Sequence, residues 1–473
     1  MTAGLKPYSL VKNVGMPWLG GVPEHWDVPR MKTVLRERVE KDSPNEPLLA
    51  ATQTKGVVRK DQYENRTVLA LKDLHLLKLV RQGDFVISLR SFQGGIEYAH
   101  EQGIISPAYT VLYPVRREVH GFLVWLFKSK PFIENLSLHV TGIRQGQNID
   151  YEKLSRSRLP LPPMIEQEAI VRFLDHSDRR IRRYIRAKLK LIKLLREQRE
   201  AVINRAVTQG LDPEVRLKPS GISWLGDVPA HWEVLRAKQL CEAIIDCKNR
   251  TPDEVADGEF LVIRTTCIRD GIFSMEGSYR TDRQSYETWT QRGAPRLGDV
   301  FFTREAPAGE ACLVPSLPNI CMGQRMMYLR PDAEILDPEF LLYSIYGPLV
   351  RGYVDQATNG STVGHLRLGQ VTSIPLPWCP IREQREVVAH IRRTAATIDP
   401  TVSQGEREIA LIREYRTRLI ADVVTGKLDV RDAAAALPEE VDELTAEDEG
   451  EIEDILSGVV EEDGEPELEE VEA

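Results

Sequence analysis

A long internal duplication constrains this chain more than any other feature. Gly15-Met-Pro-Trp18-Leu-Gly20-Gly-Val22-Pro23-Glu-His25-Trp26-Asp-Val28-Pro-Arg30-Met-Lys32 returns as Gly221-Ile-Ser-Trp224-Leu-Gly226-Asp-Val228-Pro229-Ala-His231-Trp232-Glu-Val234-Leu-Arg236-Ala-Lys238, with eleven of eighteen positions identical. A period of about 210 residues exceeds the roughly 20–50 residues of solenoid repeats. It predicts two domain-sized modules in tandem, each large enough to bury its own core. The function therefore calls for two similar sites.

Each half carries the same parts in the same order. After the Trp-Leu-Gly…His-Trp segment come short apolar runs broken by Gly, Pro and Asp, which predict mixed β-structure and loops. Asp84-Phe-Val-Ile-Ser-Leu89 and Asp299-Val-Phe-Phe-Thr303 are matching strands, each preceded by glycine (Gly83, Gly298). Ala108–Tyr113 and Phe260–Arg264 predict further strands. Proline-rich stretches, Leu159-Pro-Leu-Pro-Pro163 and Ile374-Pro-Leu-Pro377, then interrupt regular structure. A Glu-Gln pair follows each, Glu166-Gln167 and Glu383-Gln384, and opens a long charged helix.

In the first helix Leu174, Ile181, Ile185, Ile192, Leu195, Val202 and Ala206 recur at heptad spacing. A shift of 217 residues turns them into Ile391, Ile398, Val402, Ile409, Ile412, Leu419 and Val423, all apolar. Such stripes predict a coiled-coil seam. The simplest partner for one helix is the other, in an antiparallel, pseudo-two-fold pair. A helix of about 40 residues spans roughly 60 Å, a useful rigid spacer. Asp399-Pro400 predicts a kink or short break in the second helix.

The expected architecture is α+β: two tandem mixed α/β domains at 1–162 and 213–378, helical spacers at 163–212 and 379–431, and an acidic, disordered tail at 432–473. From Asp432 onward there are nineteen acidic residues and no basic one, which leaves 52 of the 71 acidic residues against all 62 basic ones over 1–431. A basic body is the electrostatic footprint of a polyanion partner.

Catalytic signatures are scarce. There is no Gly-x-x-x-x-Gly-Lys-[Ser/Thr] loop, no amino-methyltransferase motif and no Glu-x-Lys; Asp246-Cys-Lys248 is the sole Asp-x-Lys. The nine histidines show no metal-ligand spacing. The six cysteines contain no Cys-x-x-Cys and five fall between 241 and 321, so neither a disulfide framework nor a zinc site follows the repeat. His25, His231, Trp18, Trp26, Trp224 and Trp232 read as structural. No catalytic residue and no metal site are expected, and the absence of a long apolar run predicts a cytoplasmic protein with no membrane partner.

Polar, donor-rich loops remain at comparable places in both halves. They supply Arg90, Gln93, Arg144, Gln145, Gln147 and Asn148 in the first, and Lys248, Asn249, Arg250, Thr251, Arg264, Thr265, Gln324, Arg325, Asn359, Ser361 and Thr362 in the second. These side-chain types read base edges, Arg favouring guanine and Gln or Asn favouring adenine.

The layout resembles the specificity subunit of type I restriction–modification enzymes. The carrying features are the duplicated Trp-Leu-Gly…Pro-x-His-Trp opener, the Pro-rich…Glu-Gln junctions, and heptad helices ending in Thr208-Gln-Gly-Leu-Asp212 and Thr425-Gly-Lys-Leu-Asp429. Asp246-Cys-Lys-Asn-Arg-Thr-Pro252 is similar to a segment that often begins a target recognition domain in that family. Together these span about residues 15–430.

The resemblance implies two target recognition domains that each read one half of a split double-stranded DNA target. The helices would fix the unread spacer and dock two methyltransferase subunits. This chain would hold no cofactor; the partner methyltransferase would carry S-adenosylmethionine and methylate adenines. Motor–nuclease restriction subunits would add cleavage. Recognition loops diverge too freely for base contacts to be carried over by motif. The acidic tail lies outside the pattern. A methylation-only or fused-type system, a coiled-coil adaptor with two protein-binding heads, and a nuclease built on Asp246 and Lys248 stay open at this point.

Overall fold

The computed structural model describes residues 5–53, 55–62, 73–89, 91–116, 120–141, 148–248, 250–358 and 364–438. It divides into two compact units, 1–190 with 405–473 and 191–404. Each unit therefore takes one tandem module and one part of each long helix.

In the first unit a hairpin pairs Val11–Asn13 with Gly21–Pro23. A four-stranded antiparallel sheet follows, in the order Leu35–Arg38, Thr110–Pro114, Phe85–Ile87, Glu97–Tyr98. Side chains alternate across a strand, and here both faces are covered. Phe85, Ile87 and Leu112 enter the main core, while Val86 and Val111 enter a smaller one with Leu49, Val57 and Val80. The main core also holds Trp26, Phe122, Phe127 and Phe132, together with Ile170, Phe173 and Leu174 of one long helix and Leu419, Ile420, Val423 and Val424 of the other.

The second unit repeats the plan. Leu217–Pro219 pairs with Asp227–Pro229. The main sheet has the order Cys241–Asp246, Met326–Pro331, Val300–Thr303, Ala311–Leu313, again antiparallel throughout. Val300, Phe302, Met327 and Leu329 face the core that holds Trp232 and Phe340; Phe301, Met326 and Tyr328 face the other. This unit adds a second sheet in which Phe260–Ile263 lies antiparallel to Tyr279–Thr281 and parallel to Ile320–Met322.

The matching strands begin from the same turn. Asp84 N–H bonds the Arg81 carbonyl at 2.9 Å and Asp299 N–H that of Arg296 at 3.0 Å. Gly83 and Gly298 each adopt φ +92°, a conformation open to glycine at the third position of such a turn. The buried carboxylates accept the Arg81 and Arg296 backbone N–H groups, each at 2.9 Å. Arg38 and Arg330 then grip Asp84 and Asp299 through two nitrogens apiece.

The long helices are Met164–Gln209 and Ile381–Val424. Within the first unit they run antiparallel: Asp178 accepts from Arg416 at 2.5 Å, and Lys188 pairs with Glu408 at 2.7 Å. Leu174, Ile181, Ile185, Ile409, Leu419 and Val423 are buried there, with Ile412 partly so. Within the second unit Arg199 pairs with Asp399 at 3.1 Å. Ile192, Ile391 and Ile398 are buried in that unit, with Leu195, Val202 and Val402 partly covered.

Three expectations need correction. The second helix continues through Pro400 without a break. Pro400 and Ala396, whose carbonyl loses its partner, are both exposed, so water satisfies the freed group. Pro375–Trp378 is a strand against Glu233–Arg236; a two-stranded sheet consists of edges, where proline is tolerated. Finally, Arg431–Ala435 is helical with Ala434 buried in the first core, so order persists a few residues into the predicted tail. The tail beyond 438 lies outside the described residues.

Candidate nucleic-acid interface

The duplicated His-Trp pairs anchor each unit to the start of a long helix. Trp26 and Trp232 are fully buried. Their indole N–H groups donate to Glu166 (2.8 Å) and Glu383 (2.9 Å), the acids of the Glu-Gln pairs, while His25 and His231 lie 2.7 and 2.9 Å from the same carboxylates. Gln167 and Gln384 turn back to the carbonyls of Pro162 and Cys379, each at 2.7 Å. Trp224 differs from the other tryptophans of the repeat: it is 36% exposed, lies against Gly352 and donates to the Leu349 carbonyl.

The second unit gathers most of its described donor loops at one end of its sheets. Asp246 ends its strand opposite Met327, and Thr303 ends its strand opposite Met326. Ile263 ends the parallel pair opposite Met322. The polar segments that follow are tied together by backbone hydrogen bonds. Cys247 N–H reaches the Met326 carbonyl (3.1 Å), Gly323 N–H that of Ile263 (2.8 Å), and Arg304 N–H that of Arg325 (3.0 Å). Lys248, Arg250, Thr251, Arg264, Thr265, Gln324 and Arg325 are thus brought to one surface. Arg250, Thr251, Arg264, Gln324 and Arg325 are exposed; Lys248 and Thr265 are partly so.

The charges at this end divide into two kinds. Arg304, only 8% exposed, lies 3.3 Å from Asp246. Burial pushes the Asp246 carboxyl above its ordinary value, and Arg304 opposes that rise. Arg325, held at φ +71°, pairs with Glu305 at 3.1 Å, and His365 lies 3.4 Å from the same carboxylate. Lys248 and Arg250 instead lie over the Trp289 ring, 5.5 and 5.2 Å from its centroid. Asp246 and Lys248 thus engage different partners. Among the described residues no group of three His, Cys, Asp or Glu side chains could hold a metal ion.

In the first unit, Gln93 is exposed on the helical turn Ser91–Gly94, just past the strand Phe85–Ile87, and accepts from Gln53 Nε2 at 3.4 Å. Asn148 lies in a strand pair opposite Thr141. Arg90, Arg144, Gln145, Gln147, Asn249, Asn359, Ser361 and Thr362 lie outside the described residues.

Sequence reasoning did not single out Trp289, Gln291 or Arg304. Trp289 lies 39 residues from the loop whose Arg250 carbonyl its N–H reaches at 3.0 Å, and no local pattern links them. Arg304 carried a signal only in being a charge that closely follows the apolar run Val300-Phe-Phe302.

No protein-family model matches the chain. It is 20% identical over 441 residues to the putative type I restriction enzyme MjaX specificity subunit of Methanocaldococcus jannaschii, covering 87% of this chain and 96% of that one. It is 23% identical over 294 residues, 60% of each chain, to the type I restriction enzyme EcoBI specificity subunit of Escherichia coli. Among solved structures, a chain from a study of assembly and conformational transition of the type I R-M system matches with a TM-score of 0.62 at 19% identity, over 85% of this chain and 98% of that one. The fold is that of this solved chain.

Proposed function

We propose that this chain, a homologue of type I restriction enzyme specificity subunits, is itself the DNA-reading specificity subunit of a type I restriction–modification system. The observation that carries this reading is the pairing of a repeated frame with dissimilar polar ends. Strand order, the Gly-Asp turn and the Trp–Glu anchor recur in both units. The sequences that follow the matching strands do not, Ser88-Leu-Arg-Ser-Phe-Gln93 in one unit and Arg304-Glu-Ala-Pro-Ala-Gly309 in the other. One frame bearing two different reading surfaces suits a bipartite, asymmetric DNA target.

On this reading the second unit contacts one half-site through Arg264, Gln324 and their neighbours, and the first unit contacts the other through the Gln93 region. Arg and Gln supply donors to guanine and adenine edges in the major groove, while surrounding cations bind phosphates and set register. The paired helices set the length of the unread spacer and dock two methyltransferase subunits, and restriction subunits join the assembly. This chain contributes no catalytic group and no cofactor; S-adenosylmethionine belongs to the methyltransferase. The complex works in the cytoplasm, and no helix among the described residues is long and apolar enough to cross a membrane.

The test is the methylated motif made by the full chain with its methyltransferase. Arg264→Ala with Gln324→Ala relaxes one half of the motif and leaves the other intact. Equal loss at both halves contradicts the division of labour.

A further inference from the structure

We infer that Trp289 is a positioning residue that holds Lys248 and Arg250 as a two-cation clamp for the DNA backbone beside the half-site read by the second unit. This rests on the DNA-reading function proposed above.

Trp289 and Gln291 together hold Lys248 and Arg250. The Trp289 indole N–H donates to the Arg250 carbonyl at 3.0 Å. Its π face receives the Arg250 guanidinium at 5.2 Å and the Lys248 ammonium at 5.5 Å. Lys248 Nζ is also 3.4 Å from Gln291 Oε1, two residues along the chain from the ring. Tryptophan is the best aromatic partner for a cation.

The choice of partner tells what the cations are for. Arg304 and Arg325, at the same end of the unit, are each matched by a carboxylate, Asp246 and Glu305. Among the described residues Lys248 and Arg250 have no carboxylate in ion-pairing range. A neutral ring restrains a side chain without cancelling its charge. Two cations gathered on one ring also repel each other, and an anion placed against both relieves that repulsion. Phosphate oxygens of a duplex supply such an anion, and the restraint removes part of the ordering cost of binding.

The experiment measures affinity for a mixed-sequence DNA duplex across a salt series, using the full chain co-purified with its methyltransferase. Each phosphate contact contributes about 0.9 to the slope of log K against log salt. Lys248→Gln with Arg250→Gln lowers that slope by about 1.8. Trp289→Leu leaves the slope near wild type, because both charges remain, and weakens binding about tenfold. Trp289→Phe recovers most of the loss, since it keeps a π face. A wild-type slope in the double variant overturns the clamp, and wild-type affinity in Trp289→Leu overturns the positioning role. Wild-type complex that binds DNA without salt dependence overturns the DNA reading itself, and this inference with it.

Discussion

Glu166 holds the indole N–H of Trp26 at 2.8 Å across 140 residues of chain. Glu383 holds that of Trp232 at 2.9 Å across 151. The junction is closed by the far end of the other long helix. Gly426, φ +75°, follows the second helix so closely on Trp26 and Pro23 that a Cβ there would lie 2.2 Å from Pro23 Cδ. Gly210, φ +72°, follows the first, and a Cβ there would lie 3.4 Å from both Trp232 and Glu383. Three motifs far apart in sequence meet at one point in each unit.

The two anchors are not equal. Glu166 is nearly buried and accepts from Tyr8 OH as well as Trp26, with His25 on its other oxygen. Glu383 has two such partners, and its side chain is 28% exposed. Removing an acceptor from buried donors leaves them unsatisfied. Glu166→Ala is expected to cost about 2–4 kcal/mol and Glu383→Ala about 1–2 kcal/mol, by chemical denaturation. The reverse order would show that the extra donor is not what distinguishes the sites.

Asp178 is clasped by Arg182 of its own helix and Arg416 of the other, each at 2.5 Å. Burial alone would raise its pKa, but the two guanidiniums outweigh burial and hold it below the usual carboxylate range. A depressed folded value stabilises the fold above the unfolded value of about 3.9, and that contribution fades as pH falls through the folded value. Asp178→Asn is therefore less stable than wild type at neutral pH, and the gap narrows below about pH 4. A gap that does not change with pH contradicts the clasp. Arg416→Ala, which leaves the carboxylate with one partner, is expected to cost about 3 kcal/mol.

Arg304 supplies the charge that compensates Asp246 at the loop-bearing end of the second unit. Arg304→Met keeps the bulk and strands the carboxylate. It is expected to destabilise the second unit by about 3 kcal/mol and to loosen the Asp246–Lys248 segment, seen as faster amide exchange at Cys247, whose N–H bonds Met326. Unchanged exchange there would separate the ion pair from the loop.

If the helices set the spacer, changing their length changes the target. One heptad inserted after Glu197 in the first helix alone displaces Arg199 from Asp399. The expected outcome is a different spacer in the methylated motif, or loss of assembly with the methyltransferase. Full activity on the original spacer contradicts the role assigned to the helices.

Much of the frame was legible from residues alone, because it is periodic or repeated. The heptad stripes anticipated two long helices, found at 46 and 44 residues, and Gly83 and Gly298 marked the starts of matching strands. The duplication also exposed His-Trp and Glu-Gln as paired signals, although nothing local showed that they touch. The second unit's reading surface was legible only as composition. Lys248, Arg264 and Gln324 were nameable, but the register that gathers them, Asp246 opposite Met327 and Ile263 opposite Met322, is tertiary. Trp289 was invisible for the same reason. Pro400 misled because proline's cost depends on which side of the helix meets water, and the residue itself does not say.

The most direct test of the central claim is single-molecule methylome sequencing of a host that expresses this chain with its methyltransferase, against the same host lacking this chain alone. A split motif with a fixed spacer, present with the chain and absent without it, is the expected result. The same motif persisting in the deletion, with the methyltransferase present in both, would contradict the claim.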